Sequence, residues 1–202
     1  SIEEQKKIVS ILENVDQIHP FSSFIDNPFL IANEMTNSIN NYKTIGNLQA
    51  NYNFNEKWSL MLRSGMDMVS EDRAQQRPFS TANFMNGYYK QQNIFSIEVN
   101  TDALLSYNGK ITKDISFNSS VGANALNRKY NGVNSYVDGL IIPGVYKLSN
   151  GKSVPTLTTN YNRKKVHSVY GIASFDYKNK IFLDVTGRND WSSTLPVQNQ
   201  SF

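Results

Sequence analysis

The sequence predicts an all-β chain, a segment of an antiparallel, up-and-down transmembrane β-barrel with about six long strands in three hairpins. Three observations carry this. Apolar and polar residues alternate with a period of two over six stretches. Those stretches pair across connections of a few residues, whereas the links between pairs are long, which is the asymmetry of a barrel with short turns on one side and long loops on the other. Aromatic side chains gather on the apolar faces beside the short connections, at the level where amphipathic rings settle at a membrane surface.

Residues 1–43 read as an irregular segment. Ile8, Ile11, Leu12, Val15 and Ile18 recur at helical spacing behind Glu3-Glu4, which predicts a short helix over about 3–16. Pro20 and Asp26-Asn27-Pro28 end it. The barrel segment then runs over 44–202. In 44–54, Leu48, Ala50, Tyr52 and Phe54 share one face and Asn47, Gln49, Asn51 and Asn53 the other. After Asn55-Glu56-Lys57 the pattern resumes in 58–69, with Trp58, Leu60, Leu62, Met66 and Met68 on the apolar side. The second hairpin joins 93–108 (Phe95, Ile97, Val99, Leu105, Tyr107) to 114–127 (Ile115, Phe117, Val121, Ala123, Ala125), with a turn near Asn108-Gly109. The third joins 165–177 (Val169, Ala173, Phe175, Tyr177) to 181–190 (Ile181, Leu183, Val185) through Lys178-Asn179-Lys180. These strands exceed the five or six residues usual in soluble sheets, and a tilted strand needs about 9–11 to cross a bilayer. The long links fall at about 70–92 and 128–163.

On the polar faces, Arg63, Asp67, Glu98, Asp102, Arg188 and Asp190 are the candidate lumen-facing residues of a water-filled interior. Arg188 and Asp190 could touch a plug or pair with each other, and pairing is favoured because enclosed charges need partners.

Several function classes find no support. Twenty basic against 17 acidic residues form no stripe or block, so nucleic acid is not an expected partner. There are no cysteines, and the two histidines, His19 and His167, stand far apart. No metallopeptidase, nucleophile-elbow or phosphate-loop motif occurs. Glu98 and Asp102 share a face, but any alternating strand produces such pairs. The expectation is therefore no enzyme, no catalytic residue, no metal and no cofactor. No apolar run reaches the length of a spanning helix. Residues 1–5 lack the basic end and apolar core of a signal peptide, so the barrel reading expects the sequence to begin inside a longer polypeptide. A soluble β-rich glycan-binding or adhesin module also alternates and remains open. A complete small barrel needs about eight strands, two more than the sequence offers.

The most specific stretch is Val185-Thr186-Gly187-Arg188-Asn189-Asp190-Trp191-Ser192-Ser193-Thr194-Leu195-Pro196. It resembles the R-x-D-x-S-S-x-L-P segment of the SusC/RagA family of TonB-dependent outer-membrane transporters. Asp26-Asn27-Pro28-Phe29 is similar to that family's Asn-Pro-aromatic segment, and the strands at 46–54 and 58–67 resemble its strand order. The resemblance covers about 26–202. It implies that 44–202 is part of a TonB-dependent receptor barrel of roughly 22 strands plugged by an N-terminal domain. It further implies a location in the outer membrane, with lipid against the apolar face, a SusD-like surface lipoprotein as lid, and a glycan or peptide as substrate. Energy would come from the TonB complex through an N-terminal part that this chain lacks. On that view Phe84, Tyr88 and Tyr89 in the 70–92 link, and Tyr136 with Tyr130 and Tyr146 in the 128–163 link, are candidate aromatics for stacking on a ligand or packing on the lid. Packing the loops against one another is the plainer role for them.

Overall fold

The computed structural model of the chain describes residues 26, 28–196, 198 and 201, with Phe29 described by its backbone only. The helix expected over 3–16 lies outside these residues. Pro28–Asn33 forms a short helix, α1, opened by a proline whose missing N–H costs nothing in the first turn. Six strands follow: β1 (Asn37–Asn53), β2 (Trp58–Thr81), β3 (Phe84–Lys110), β4 (Ile115–Asp138), β5 (Thr156–Tyr177) and β6 (Ile181–Ser192). They form one antiparallel up-and-down sheet in chain order, so β1 and β6 are its edges. A single-turn 3-10 helix at Leu148–Asn150 completes the elements. No helix among the described residues is long and apolar enough to cross a membrane.

Each short turn has its own lock. Asn55 Oδ1 accepts from the N–H groups of Lys57 and Trp58, both at 2.9 Å, an Asx turn. The β3–β4 reversal comes a few residues later than Asn108-Gly109, because β3 continues to Lys110. It is held by Thr112 Oγ1, which accepts from Asp114 and Ile115 N–H at 3.3 and 3.1 Å. Gly109 suits the strand here, since a Cβ would lie 2.4 Å from the Tyr107 hydroxyl. Between β5 and β6, Lys178 and Asn179 take φ of 54° and 55°, and Lys180 N–H returns to the Tyr177 carbonyl at 3.0 Å. Two successive left-handed residues match the right-handed twist of a hairpin.

The strands are longer than the alternation predicts, and the two long links are correspondingly shorter. β1 starts at Asn37 instead of 44. The 70–92 stretch is strand except for the reversal at Ala82-Asn83. The 128–163 stretch is strand up to Asp138 and again from Thr156. Period-two reading fails where both faces are wet, because polar residues then occupy odd and even positions alike. The ladder persists there through polar cross-strand contacts: Asn41 Nδ2 donates to Glu71 at 3.3 Å, and Asn93 Nδ2 donates to Asp72.

The chain divides into two compact units. The first comprises the described residues up to Tyr42 with Ser70–Ile94 and Asn131–Asn160. It contains the buried apolar side chains of the described residues, Leu30, Val137 and Leu140. Its 139–155 segment is a folded loop built on Asn150, whose side chain is buried. Asn150 Nδ2 donates to the carbonyls of Ile142 and Val145 at 2.9 and 2.7 Å, and its Oδ1 accepts from Ile142 N–H at 3.1 Å. Leu140 and Gly139 donate to the carbonyls of Asn86 and Gly87 at 2.7 and 3.0 Å, docking the loop on β3. Gly87 takes φ +72°, and a Cβ on it would meet Phe79 at 3.0 Å and Leu140 at 3.1 Å.

The second unit comprises Lys43–Val69, Phe95–Tyr130 and the described residues from Tyr161. It has no fully buried large apolar side chain among the described residues. Leu48, Leu62, Met66, Phe95, Leu105, Val121, Val169, Leu183 and Val185 are all exposed.

Two outcomes are expected. The isolated 202-residue chain self-associates in aqueous buffer, because an uncovered apolar face and two open edges are both sticky. A monodisperse monomer by light scattering, melting cooperatively, refutes this. Asn150→Ala removes three hydrogen bonds to the backbone of Ile142 and Val145, at about 0.5–1.5 kcal/mol each, so limited proteolysis should cut within 141–149 many-fold faster. Unchanged cleavage refutes the role of Asn150.

Candidate functional site

The alternation of β2 to β6 turns one set of side chains to a polar face, and the second unit pairs its charges there. Arg63 on β2 donates to Asp102 on β3 at 3.1 Å. Asp102 is nearly buried and also accepts from Asn124 Nδ2 on β4 at 2.7 Å, while the same nitrogen reaches Asn100 at 2.7 Å. Asp67 pairs with Lys43 at 3.2 Å, and Glu98 with Arg128 at 2.7 Å. Ser106 and Ser120 share a hydrogen bond at 2.8 Å.

Arg188 and Asp190, two residues apart on β6, pair at 2.8 Å. Arg188 also donates to Ser168 at 2.9 Å and lies 5.6 Å from the Tyr170 ring centre. The register places Tyr170 directly across from Arg188 and Ser168 across from Asp190. On its other side the Tyr170 ring lies against Gly122, where a Cβ would meet the ring at 2.3 Å. A glycine here provides the flat floor on which an aromatic ring from the neighbouring strand rests.

Of the six charged positions singled out from sequence, the structure joins Arg63 to Asp102 and Arg188 to Asp190. Asp67 and Glu98 are joined instead to Lys43 and Arg128, which sequence reading missed, as it missed Asn124, Ser168 and Tyr170. They meet their partners across neighbouring strands on one face, so finding them requires the strand register.

The aromatic candidates are placed differently from expectation. Phe84, Tyr88 and Tyr89 lie on β3 and Tyr136 on β4, within strands instead of loops. In the first unit, Phe84 and Tyr88 are 4.9 Å apart by ring centre, and Tyr88 and Tyr136 5.9 Å. Tyr89, the next residue along, alternates to the other side of the strand and joins none of these pairs. Tyr146 does lie in the 139–155 loop. Burial first, then the nearby Glu34 carboxylate, raises its phenol above the ordinary value, and its hydroxyl has no partner among the described residues.

The opposite face of the second unit carries a row of rings beside the short turns. Trp58 meets Tyr107 at 4.9 Å, Tyr107 meets Phe117 at 6.2 Å, and Phe117 meets Phe175 at 4.8 Å. Four successive strands each contribute one ring. Among the described residues no group of three or more His, Cys, Asp or Glu side chains is arranged to hold a metal. The second unit offers hydrogen bonding and charge pairing on one face, and apolar contact with a row of rings on the other.

Asp102 is the hub of the polar network, which gives a graded expectation. Asp102→Ala takes a partner from both Arg63 and Asn124, of which Asn124 keeps Asn100, and should cost about 1–3 kcal/mol. Arg63→Gln should cost under about 1 kcal/mol, because its guanidinium is half exposed. Urea midpoints of the protein folded in vesicles measure both, and equal costs would contradict the hub.

No protein-family model matches the chain, and no curated protein matches it in sequence. Among solved structures it is similar to the RagAB peptide transporter, with a TM-score of 0.80 at 15% identity over 88% of this chain and 20% of that one. It is similar to the RagAB peptide importer in its open-open state, with a TM-score of 0.79 at 15% identity and the same coverages. In the closed-closed state the values are 0.71 and 14%, over 82% of this chain and 19% of that one. At such identities the likeness is one of fold. The chain spans about a fifth of the length of these transporter chains.

Proposed function

We propose that this chain is part of the barrel wall of an outer-membrane importer of the SusC/RagA type, taking up glycans or peptides with energy supplied through TonB. On this reading it is not an enzyme. A surface lipoprotein covers the long-loop end, and the polar face lines the solute path. What supports the reading above all is the extent of the uncovered apolar face. From the aromatic row to the first charged residue or asparagine of the same face is ten residues on β4 (Phe117 to Asn127), ten on β5 (Phe175 to Lys165) and fourteen on β3 (Tyr107 to Asn93), and the stretches between are apolar or small apart from Ser119, His167 and Thr101. A tilted strand needs about 9–11 residues to cross the hydrocarbon layer, and a ring girdle marks its edge. The fold likeness to transporter chains points the same way.

A soluble glycan-binding module needs a second layer over the apolar face, and the second unit has none among the described residues. On this reading the Phe84–Tyr88–Tyr136 ring series of the first unit meets incoming solute.

The test is the native polypeptide bearing this sequence. If 88% of a 22.9 kDa chain corresponds to a fifth of the whole, the parent has a mass of about 100 kDa. Peptide mapping of fractionated cells should find it in the outer membrane at that size. A soluble product near 22.9 kDa overturns the proposal in favour of the binding module.

A further inference from the structure

Three cations at the end of the apolar face take no part in the polar network. Lys129 follows Arg128, which is turned to Glu98, so alternation along β4 puts Lys129 on the face of Phe117 and Val121. Arg163 and Lys165 fall on that same face of β5, four and two residues before His167 and sharing the parity of Val169 and Phe175. The contacts of Phe117 with Phe175 and of Gly122 with Tyr170 set the β4–β5 register. Continued along the strands, that register puts Lys129 opposite Arg163 and Asn127 opposite Lys165. Ser193 extends the β6 side, its N–H donating to the Lys165 carbonyl at 2.9 Å. All three side chains are exposed, and none has an acidic partner among the described residues. Like charges directly opposite across a ladder repel, so the arrangement favours an anion between them. Trp191, paired with His167 on the neighbouring strand, is half exposed on this face. Tryptophan and long basic side chains together at the rim of an apolar surface are the residues that seat at a headgroup layer.

We propose that Lys129, Arg163 and Lys165 form a site for the phosphate of an anionic lipid headgroup, at the end of the apolar face away from the aromatic row. The proposal rests on the membrane-wall reading above. The rim then binds a lipid of the leaflet into which the long-loop end projects, fixing the depth of the wall as the ring row does at the other end. Each cation near an anionic surface contributes roughly fivefold in affinity, so the three together amount to about a hundredfold.

The test uses the full-length protein, reconstituted into phosphatidylcholine vesicles with or without about 20 mol% phosphatidylglycerol, enough to give an anionic surface, and also held in neutral detergent with inorganic phosphate. Lipids retained after brief detergent extraction are counted by native mass spectrometry. The wild type should retain phosphatidylglycerol selectively, less so at high salt. Lys129→Gln/Arg163→Gln/Lys165→Gln should lose that selectivity by about a hundredfold while still floating with both vesicles. Lys129→Arg/Lys165→Arg should keep it, which separates charge from damage to the fold. Undiminished selectivity in the triple variant overturns the lipid site and leaves the membrane reading standing. Binding of inorganic phosphate in detergent, without preference for phosphatidylglycerol, also overturns it. Failure of the wild type to float with either vesicle removes both proposals.

Discussion

The apolar face of the second unit has no cover among the described residues, and most of the architecture answers to that constraint. Removing such surface from water is worth about 25 cal/mol for each Å², so a sheet exposing Leu62, Met66, Phe95, Val121, Val169 and Leu183 together requires a partner. A second sheet or a helical layer is the soluble solution, and neither is present in that unit among the described residues. Lipid is the other solution, and it imposes a further condition. Backbone groups inside hydrocarbon must be paired, so the strands must be continuous and their neighbours must continue past β1 and β6. On the membrane-wall reading, the edges in this chain are joins to further strands.

The polar face obeys a different rule. Its charges are brought together in pairs across strands, Arg63 with Asp102, Glu98 with Arg128 and Lys43 with Asp67, and the amide of Asn124 links Asp102 to Asn100. On the proposed reading, a solute passing this surface meets hydrogen-bonding groups without a strong local field of one sign. The cations at the apolar rim are the contrast: on the proposed reading, charge on the solute path is balanced and charge that meets a headgroup layer is not.

Much of this was legible in the sequence, and the boundary of legibility is physical. Where one face is apolar and the other wet, period two is strong, and the start of β2 at Trp58 and of β6 at Ile181 came out as read. Where both faces are wet, as in 70–92, composition carries no period, so these strands read as loops in the sequence. Phe84, Tyr88 and Tyr136 were singled out for their ring faces but assigned to the wrong kind of element for that reason. The partners of Asp67 and Glu98 were hidden because a pair across a ladder depends on register, which depends on turn geometry. Lys178 and Asn179 at positive φ could not be read from Lys178-Asn179-Lys180 alone. Gly122 and Tyr170, 48 residues apart in sequence, meet only once that register is known.

The strand extensions raise a question of stability, since a wet ladder has neither lipid nor core to hold it. Hydrogen bonds between exposed strands contribute little net free energy, because water offers the same bonds. The first unit supplies what the ladder lacks. Val137 and Leu140 are buried, Gly151 lies so close to Val137 that a Cβ would stand 2.5 Å from it, and Asn150 ties the loop to the carbonyls of Ile142 and Val145. A small core at the end of long strands converts a fraying hairpin into a fixed element. That fixity is what allows Phe84, Tyr88 and Tyr136 to keep their rings in series. If these rings meet solute as proposed, the same rings on mobile loops would have to be ordered for every ligand, at a cost of about 0.5–1.5 kcal/mol for each side chain. Rings carried on strands have met that cost in folding.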